Sequence, residues 1–351
     1  MFLVARRMAF FLVALVVAPA ALAAPQNRPA AAAPARIPLQ PRFTPGQVMR
    51  YRIALESTSA TRQSGLVQDP QGAAQLIVTW DATVRVEVFA AERSAGPSPS
   101  SAGSRAAGGP IRLRITYEQS AATVRSDTPE PRSEEIQQQY AQLAGRSIEF
   151  TLTADGRVSE IRGLEGLLSD EKARAAVQQW IVQLSAAAAT PPGGVVPGQK
   201  WSSTQPADLP LAGLSWRTDA SYLRNEPCRL ANPSYAAAIS DRQDCAVILA
   251  RLALVTSRSL RDPTPEEYRR NGLRTSGRWT GSGESLMYVL LDTGWVVRTT
   301  QESTEQMDVT ITGGPANPGS SVRHSGAVST RSQVFLLNEA PSAPPPAPLA
   351  R

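Results

Sequence analysis

Three stretches of the chain alternate apolar and charged residues with a period of two, and this pattern limits the fold more than any other feature. Side chains on a strand point alternately to the two faces of a sheet, so each stretch predicts a strand with one buried and one solvated face. We therefore expect an antiparallel sheet with one apolar and one charged face. The apolar residues are Met49, Tyr51, Ile53 and Leu55, then Trp80, Ala82, Val84, Val86 and Val88, then Ile111, Leu113, Ile115 and Tyr117.

The charged face of these three strands carries five arginines with four carboxylates interleaved among them. A purely basic face would suggest an anion-binding surface, whereas interleaved acids predict cross-strand ion pairs. The interleaving favours ion pairs. The residues are Arg50, Arg52, Arg85, Arg112 and Arg114, with Glu56, Asp81, Glu87 and Glu118.

A hairpin followed by an amphipathic helix is predicted between residues 147 and 184. Asp155-Gly156 supplies the turn signal between two short alternating runs. From residue 169 to residue 184 the apolar side chains recur at helical spacing, which predicts one apolar helix face lying on the sheet. This face would either contact a hydrophobic or amphiphilic ligand or simply complete the core. The candidate ligand-binding residues are Val177, Trp180, Ile181 and Leu184.

A second hairpin with the same pattern, centred on Asp292-Thr293-Gly294, follows late in the chain. The recurrence suggests two similar halves, residues 43–190 and 195–338, although any two hairpins resemble each other over so short a stretch. The sequence thus predicts an α+β protein. Its main element would be a curved, mainly antiparallel sheet packed on one long amphipathic helix.

The N-terminus has the pattern of a signal peptide. Arg6 and Arg7 precede a short apolar run, and Ala21-Leu22-Ala23 fits a small-x-small cleavage site. We expect residues 1–23 to be removed and the protein to be periplasmic or secreted; an uncleaved N-terminal anchor is the alternative. No later stretch approaches the ~20 apolar residues of a membrane helix, so no transmembrane segment is expected in the mature chain.

Two segments rich in alanine and proline flank the predicted folded part. Residues 24–42 are expected to be a disordered spacer, and residues 339–351 a disordered Pro-rich tail. Between them, residues 43–338 are expected to form a single β-rich domain.

Cys228 and Cys245 are the only cysteines, and an even pair in an exported chain predicts a disulfide. A metal site or a reactive thiol is the alternative, but zinc would need further ligands and the chain has one histidine. The formal net charge is +6, to which Arg6 and Arg7 contribute two. So small an excess does not predict a nucleic-acid partner.

No motif in the chain predicts catalysis. His324 stands in a Gly/Ser-rich segment that predicts a surface loop, and Ser169 and Lys172 match S-x-x-K without its companion motifs. Two pairs of acids, Glu302 with Glu305 and Glu266 with Glu267, leave a carboxylate-dependent hydrolase of the cell envelope as the alternative function. We expect a non-catalytic envelope protein without a cofactor, whose partner is a lipid-like ligand or another envelope protein.

The order of strands and helix resembles uncharacterised exported bacterial β-rich proteins, known as domains of unknown function. The resemblance extends over residues 43–337 and depends on the run from Pro197 to Trp201 and on the hairpin Asp292-Thr293-Gly294-Trp295. It implies an envelope location and an antiparallel β fold, and it supplies no catalytic residues.

Overall fold

Eleven strands form one antiparallel sheet in the part of the chain that the computed structural model describes. This part belongs to a compact unit formed by Arg36–Arg351. The described residues are 36–65, 74–89, 111–153, 158–164, 167, 177, 180, 181, 183, 184, 190, 191, 193–207, 209–228, 243–256, 262–313 and 320–337.

The strand order across the sheet is β5-β4-β3-β2-β1-β11-β10-β9-β8-β7-β6, so the first and last strands pair in its middle. Their register runs from Arg50 opposite Leu337 to Ser64 opposite Arg323. The strands are β1 (Val48–Ser64), β2 (Ala74–Phe89), β3 (Ile111–Ser126), β4 (Ser147–Leu152), β5 (Val158–Arg162), β6 (Lys200–Pro206), β7 (Leu214–Pro227), β8 (Asp244–Thr256), β9 (Leu273–Leu290), β10 (Val296–Gly313) and β11 (Ser321–Leu337). The helices are α1 (Ser133–Ala141) and α2 (Glu266–Arg270).

The predicted α+β class is wrong, because the described residues are nearly all strand and form one antiparallel sheet, with α1 and α2 as two short helices. The described residues contain no continuous long helix on the sheet. Of the predicted helix 169–184, Val177, Trp180 and Ile181 are helical, and most of its other residues lie outside the described part of the chain. The two predicted halves, residues 43–190 and 195–338, meet in the middle of this sheet, where β1 pairs with β11. Alternation does not predict the polar ends of β1 and β9. The end of β1 is a strand because ladders with β11 and β2 satisfy its backbone groups, and the start of β9 is a strand because it pairs with β10.

One face of the sheet is apolar, and its residues can be followed from strand to strand because directly paired residues share a face. A row across six strands consists of Ile53, Val334, Thr299, Met287, Ile248 and Tyr222. Every member except Met287 is buried. We call this the apolar face.

Three buried clusters cover parts of the apolar face. The largest packs a group of side chains from outside the sheet against β1–β4: Tyr140, Leu143, Val177, Trp180, Ile181 and Leu184. A second packs Leu39 and Val195 against the β7–β9 side. The third contains Leu211, Leu214 and Val309 at the opposite ends of the strands.

Residues 36–42 belong to the predicted spacer 24–42, and the structure places them against the sheet. The backbone N–H of Ile37 donates to the carbonyl of Val195 at 2.8 Å. Leu39 is only 1% exposed. The rest of the predicted spacer, the predicted signal peptide 1–23 and the tail 339–351 lie outside the described residues.

The arginines of the charged face are paired, as the interleaved acids predicted. Arg52 binds Asp81 at 2.6 Å, and Arg85 contacts Glu87 at 3.4 Å. Arg50 binds Glu118. Arg112 and Arg114 share Glu149, a partner that the sequence pattern did not identify.

Both predicted hairpins are present, although residues 154–157 of the first turn lie outside the described part. Strands β4 and β5 pair through Leu152 and Val158. In the second hairpin Gly294 has a φ of +70°, and a Cβ there would overlap the carbonyl oxygen of Gln40. Glycine is therefore required by both conformation and space.

The predicted disulfide is present between Cys228 and Cys245. It joins the residue after β7 to the second residue of β8, and both cysteines are fully buried.

Candidate ligand-binding face

Between the clusters lies a part of the apolar face, on β7–β11, whose large side chains are only half-buried. Register places Thr218, Leu252, Gly283, Ser303 and Thr330 in one row. The next row towards the far strand ends contains Val328, Glu305 and Gly281, with Trp216 on the same face of β7. We call these two rows and Met307 the central stretch.

Four large apolar residues of the central stretch lie outside all three buried clusters: Trp216, Leu252, Met307 and Val328. Each is half-buried. Because these side chains are not packed within a core cluster, they form the part of the apolar face best suited to contact another molecule.

Small residues form the floor of the central stretch. A Cβ on Gly281 would lie 2.5 Å from Cη2 of Trp216 and 3.3 Å from Cγ of Glu305. A Cβ on Gly283 would lie 2.6 Å from the carbonyl oxygen of Glu302. Gly281 therefore allows the Trp216 ring and the Glu305 side chain to lie directly on the sheet, whereas Gly283 allows the backbone of β10 to approach closely.

Glu305 is the acidic residue of the central stretch. The indole Nε1–H of Trp279 donates to its Oε2 at 2.9 Å. Among the described residues no arginine or lysine pairs with Glu305, whereas Glu302 on the charged face binds Arg331 at 3.0 Å. A half-buried carboxylate beside two indoles gives this part of the apolar face a negative charge.

The four ligand-binding residues predicted from the sequence lie together in the largest buried cluster. Val177, Trp180 and Ile181 are at most 1% exposed, and Leu184 is 8% exposed. The cavity next to Ile181 and Leu184 has a volume of about 10 Å³. This space corresponds to about one water molecule.

Polar and aromatic contacts hold this buried segment on the sheet. The Trp180 ring meets Tyr117 edge-on, with centroids 6.2 Å apart. Burial raises the pKa of Tyr117 well above its ordinary value. The side-chain amide of Gln183 donates to Oγ of Ser332 at 3.2 Å.

In neither of the two acid pairs identified in the sequence do the two carboxylates face each other across a cleft. Glu302 and Glu305 are three residues apart on β10 and therefore point to opposite faces. Glu266 lies on exposed α2 and binds Arg269 at 2.7 Å. Ser169 and Lys172 lie outside the described residues.

His324 was predicted in a loop and is instead in β11, between Gln63 and Val309. The loop prediction is wrong because Gly and Ser residues are tolerated in a strand with neighbours on both sides.

Among the described residues no three His, Cys, Asp or Glu side chains come close enough to bind a metal ion together. The described helices are too short and too polar to cross a membrane.

The grouping of Trp216, Trp279 and Glu305 was missed by sequence reasoning. These residues come from three different strands, and only the sheet register brings them together. The sequence did contain one indication. Trp279, Gly281 and Gly283 are at alternate positions and therefore lie on one face of β9. A tryptophan followed by two glycines on the same face indicates that the sheet surface beside the ring carries no side chains.

No protein-family model matches the chain, and no curated protein matches it. Among solved structures, it is similar to a structure of lipid–protein interactions in lipovitellin, with 11% identity, a TM-score of 0.43, and coverage of 87% of this chain and 26% of that chain. It is also similar to DynF of the dynemicin biosynthesis pathway of Micromonospora chersina, with 11% identity, a TM-score of 0.17 and 88% coverage of both chains. The chain spans about a quarter of the lipovitellin chain that it matches. Both TM-scores are too low to support an inference about function, which therefore depends on the residues of this chain.

Proposed function

We propose that this protein is an exported, non-catalytic binding protein that holds an apolar or amphiphilic ligand on the central stretch. The observation that carries the proposal is the set of half-buried apolar side chains, Trp216, Leu252, Met307 and Val328, outside the buried clusters. The two rows span five strands and about four residues along each, which gives a patch of roughly 300 Å². Apolar patches of this size are often binding sites.

The central stretch is preferred to the buried group Val177, Trp180, Ile181 and Leu184 because the space beside that group is too small for a ligand. A lipid-like ligand needs a site of several hundred Å³. The cavity beside Ile181 and Leu184 is about 10 Å³. In this proposal these four side chains therefore belong to the core, and the ligand binds farther along β7–β11.

Export is proposed from two independent features. Residues 1–23 carry the signal-peptide pattern, and the buried Cys228–Cys245 disulfide is of a kind that persists in oxidising compartments. Together they support a periplasmic or secreted location.

The test is the binding of N-phenyl-1-naphthylamine, an uncharged probe that fluoresces in apolar surroundings, to the purified protein. We expect Leu252→Gln to weaken probe binding about tenfold, because a Leu side chain contributes about 1.5–3 kcal/mol when it is fully buried. Leu223→Gln is the matched control, since Leu223 is 40% exposed and lies outside the central stretch. Both variants need an unchanged unfolding midpoint.

Absence of probe binding, or equal binding by the two variants, would contradict the proposal. Native mass spectrometry of protein purified from its own host provides a second measurement. A co-purifying small amphiphile supports the proposal, whereas a co-purifying protein that competes with the probe would show that the stretch is a protein interface instead.

A further inference from the structure

We infer that the ligand of the central stretch carries an organic cation, such as an alkylammonium group, which lies against Glu305 and next to Trp216 and Trp279. This inference depends on the proposed function and specifies the head group of the ligand. An alkyl chain on the same ligand would extend over Leu252 and Met307.

The first argument is the unbalanced charge of Glu305. The carboxylate accepts one hydrogen bond, from Trp279, and no described arginine or lysine pairs with it. A carboxylate offers about four acceptor positions, and partial burial of a charge without a counter-ion is unfavourable. A bound cation would supply the missing partner.

The second argument is the position of the two indoles. Trp216 and Glu305 adjoin over the same glycine, since a Cβ on Gly281 would approach both. Trp279 is held next to the same carboxylate by its hydrogen bond to Glu305. Tryptophan attracts cations through its ring, and aromatic residues with a carboxylate suit organic ammonium groups.

The third argument concerns which cations and anions the arrangement disfavours. Ca²⁺ and Mg²⁺ need about six oxygen ligands, and no group of three potential metal-binding side chains occurs in the described part of the chain. An anionic head group would be repelled by Glu305, and the arginines paired on the charged face lie on the opposite side of the sheet. An organic cation is therefore the class of head group that suits this site.

The test compares two probes that have the same tail and nearly the same head-group size. Decyltrimethylammonium is cationic, and decyldimethylamine oxide is uncharged at pH 8. Binding to the whole protein is measured by calorimetry below the micelle concentration of each probe. We expect the cation to bind about tenfold more tightly.

Two variants on one strand localise the effect. Glu305→Gln should abolish the preference for the cation and leave binding of the amine oxide unchanged. Glu302→Gln lies three residues away on the charged face and should keep the preference. If Glu305→Gln does not fold, the preference of the wild-type protein for the cation decides the question without a variant.

The outcomes separate this inference from the proposed function. Equal binding of both probes by the wild-type protein would overturn the cationic head group and leave an apolar ligand site intact. Preference for the cation that survives Glu305→Gln would also overturn it. Binding of neither probe would contradict the proposed function itself.

Discussion

The outer edge of the Trp216 ring lies directly above Gly281, close enough that a Cβ on residue 281 would stand 2.5 Å from Cη2. The ring comes from β7 and the glycine from β9, so the indole reaches across β8. This contact fixes the position of Trp216 beside Glu305 and makes residue 281 a sensitive probe of the central stretch.

Gly281→Ala should displace the Trp216 ring at a moderate cost in stability, because a side-chain end can move. Gly283→Ala should cost more, about 1–3 kcal/mol, because its Cβ would meet the carbonyl oxygen of Glu302 at 2.6 Å. Urea unfolding measures the costs, and tryptophan emission reports the ring. A larger loss for Gly281→Ala would contradict this geometry.

Trp180→Ala should destabilise the protein by about 3–5 kcal/mol, because a fully buried ring is removed from its contact with Tyr117. Leu223→Ala, at a 40% exposed position, is the control and should change the free energy of unfolding by less than about 0.5 kcal/mol. Denaturant titration monitored by circular dichroism provides both values. Similar values for the two variants would show that Trp180 is not part of the core.

Reduction of the Cys228–Cys245 disulfide should lower the free energy of unfolding by about 3 kcal/mol, as expected for a loop of this size. The paired variant Cys228→Ala with Cys245→Ala should lose a similar amount and become insensitive to the reductant. Unfolding midpoints with and without dithiothreitol test this. Reaction of thiol reagents with the unreduced, denatured protein would show that the bond is absent.

Glu149→Gln should destabilise the protein at pH 7 and destabilise it less near pH 3. The hydrogen bonds from Arg114 and Arg112 lower the pKa of Glu149. A carboxyl with a lowered folded-state pKa adds stability above its unfolded pKa of about 4.3, and this stability is lost as the pH falls through the folded-state pKa. The midpoints of urea unfolding of the wild-type protein and the variant, measured at pH 7 and at pH 3, give the change in stability at each pH.

The control for this titration is Glu302→Gln, which breaks the exposed pair with Arg331. Such pairs contribute at most about 1 kcal/mol, so this variant should change stability little at pH 7. A loss for Glu149→Gln that is the same at both pH values would mean that its ion pairs are not the cause.

The sequence identified the strands whose apolar residues alternate, but not their full lengths. Met49, Tyr51 and Ile53 mark β1 plainly, whereas its polar end to Ser64 has no alternation and fits either a long connection or an extended hairpin end. β9 likewise has no apolar alternation before Ser285. Hydrogen bonds with neighbouring strands extend these segments, and such bonds are not visible in one-dimensional periodicity.

What the sequence determined by itself follows from local chemistry. The alternation of apolar and charged residues predicted the two faces of β1–β3. Gly294 indicated a turn, and the two cysteines predicted a disulfide. Helical spacing placed Val177, Trp180, Ile181 and Leu184 on one apolar face, and all four are buried.

Only the tertiary structure decided how these parts combine. Pairing of β1 with β11 made one sheet of the predicted halves, and the register across β7–β10 brought Trp216, Trp279 and Glu305 together. Register depends on hydrogen bonds between strands far apart in the chain, and a shift of one residue would move Glu305 to the opposite face. The site is therefore a property of strand pairing, which no single stretch of sequence encodes.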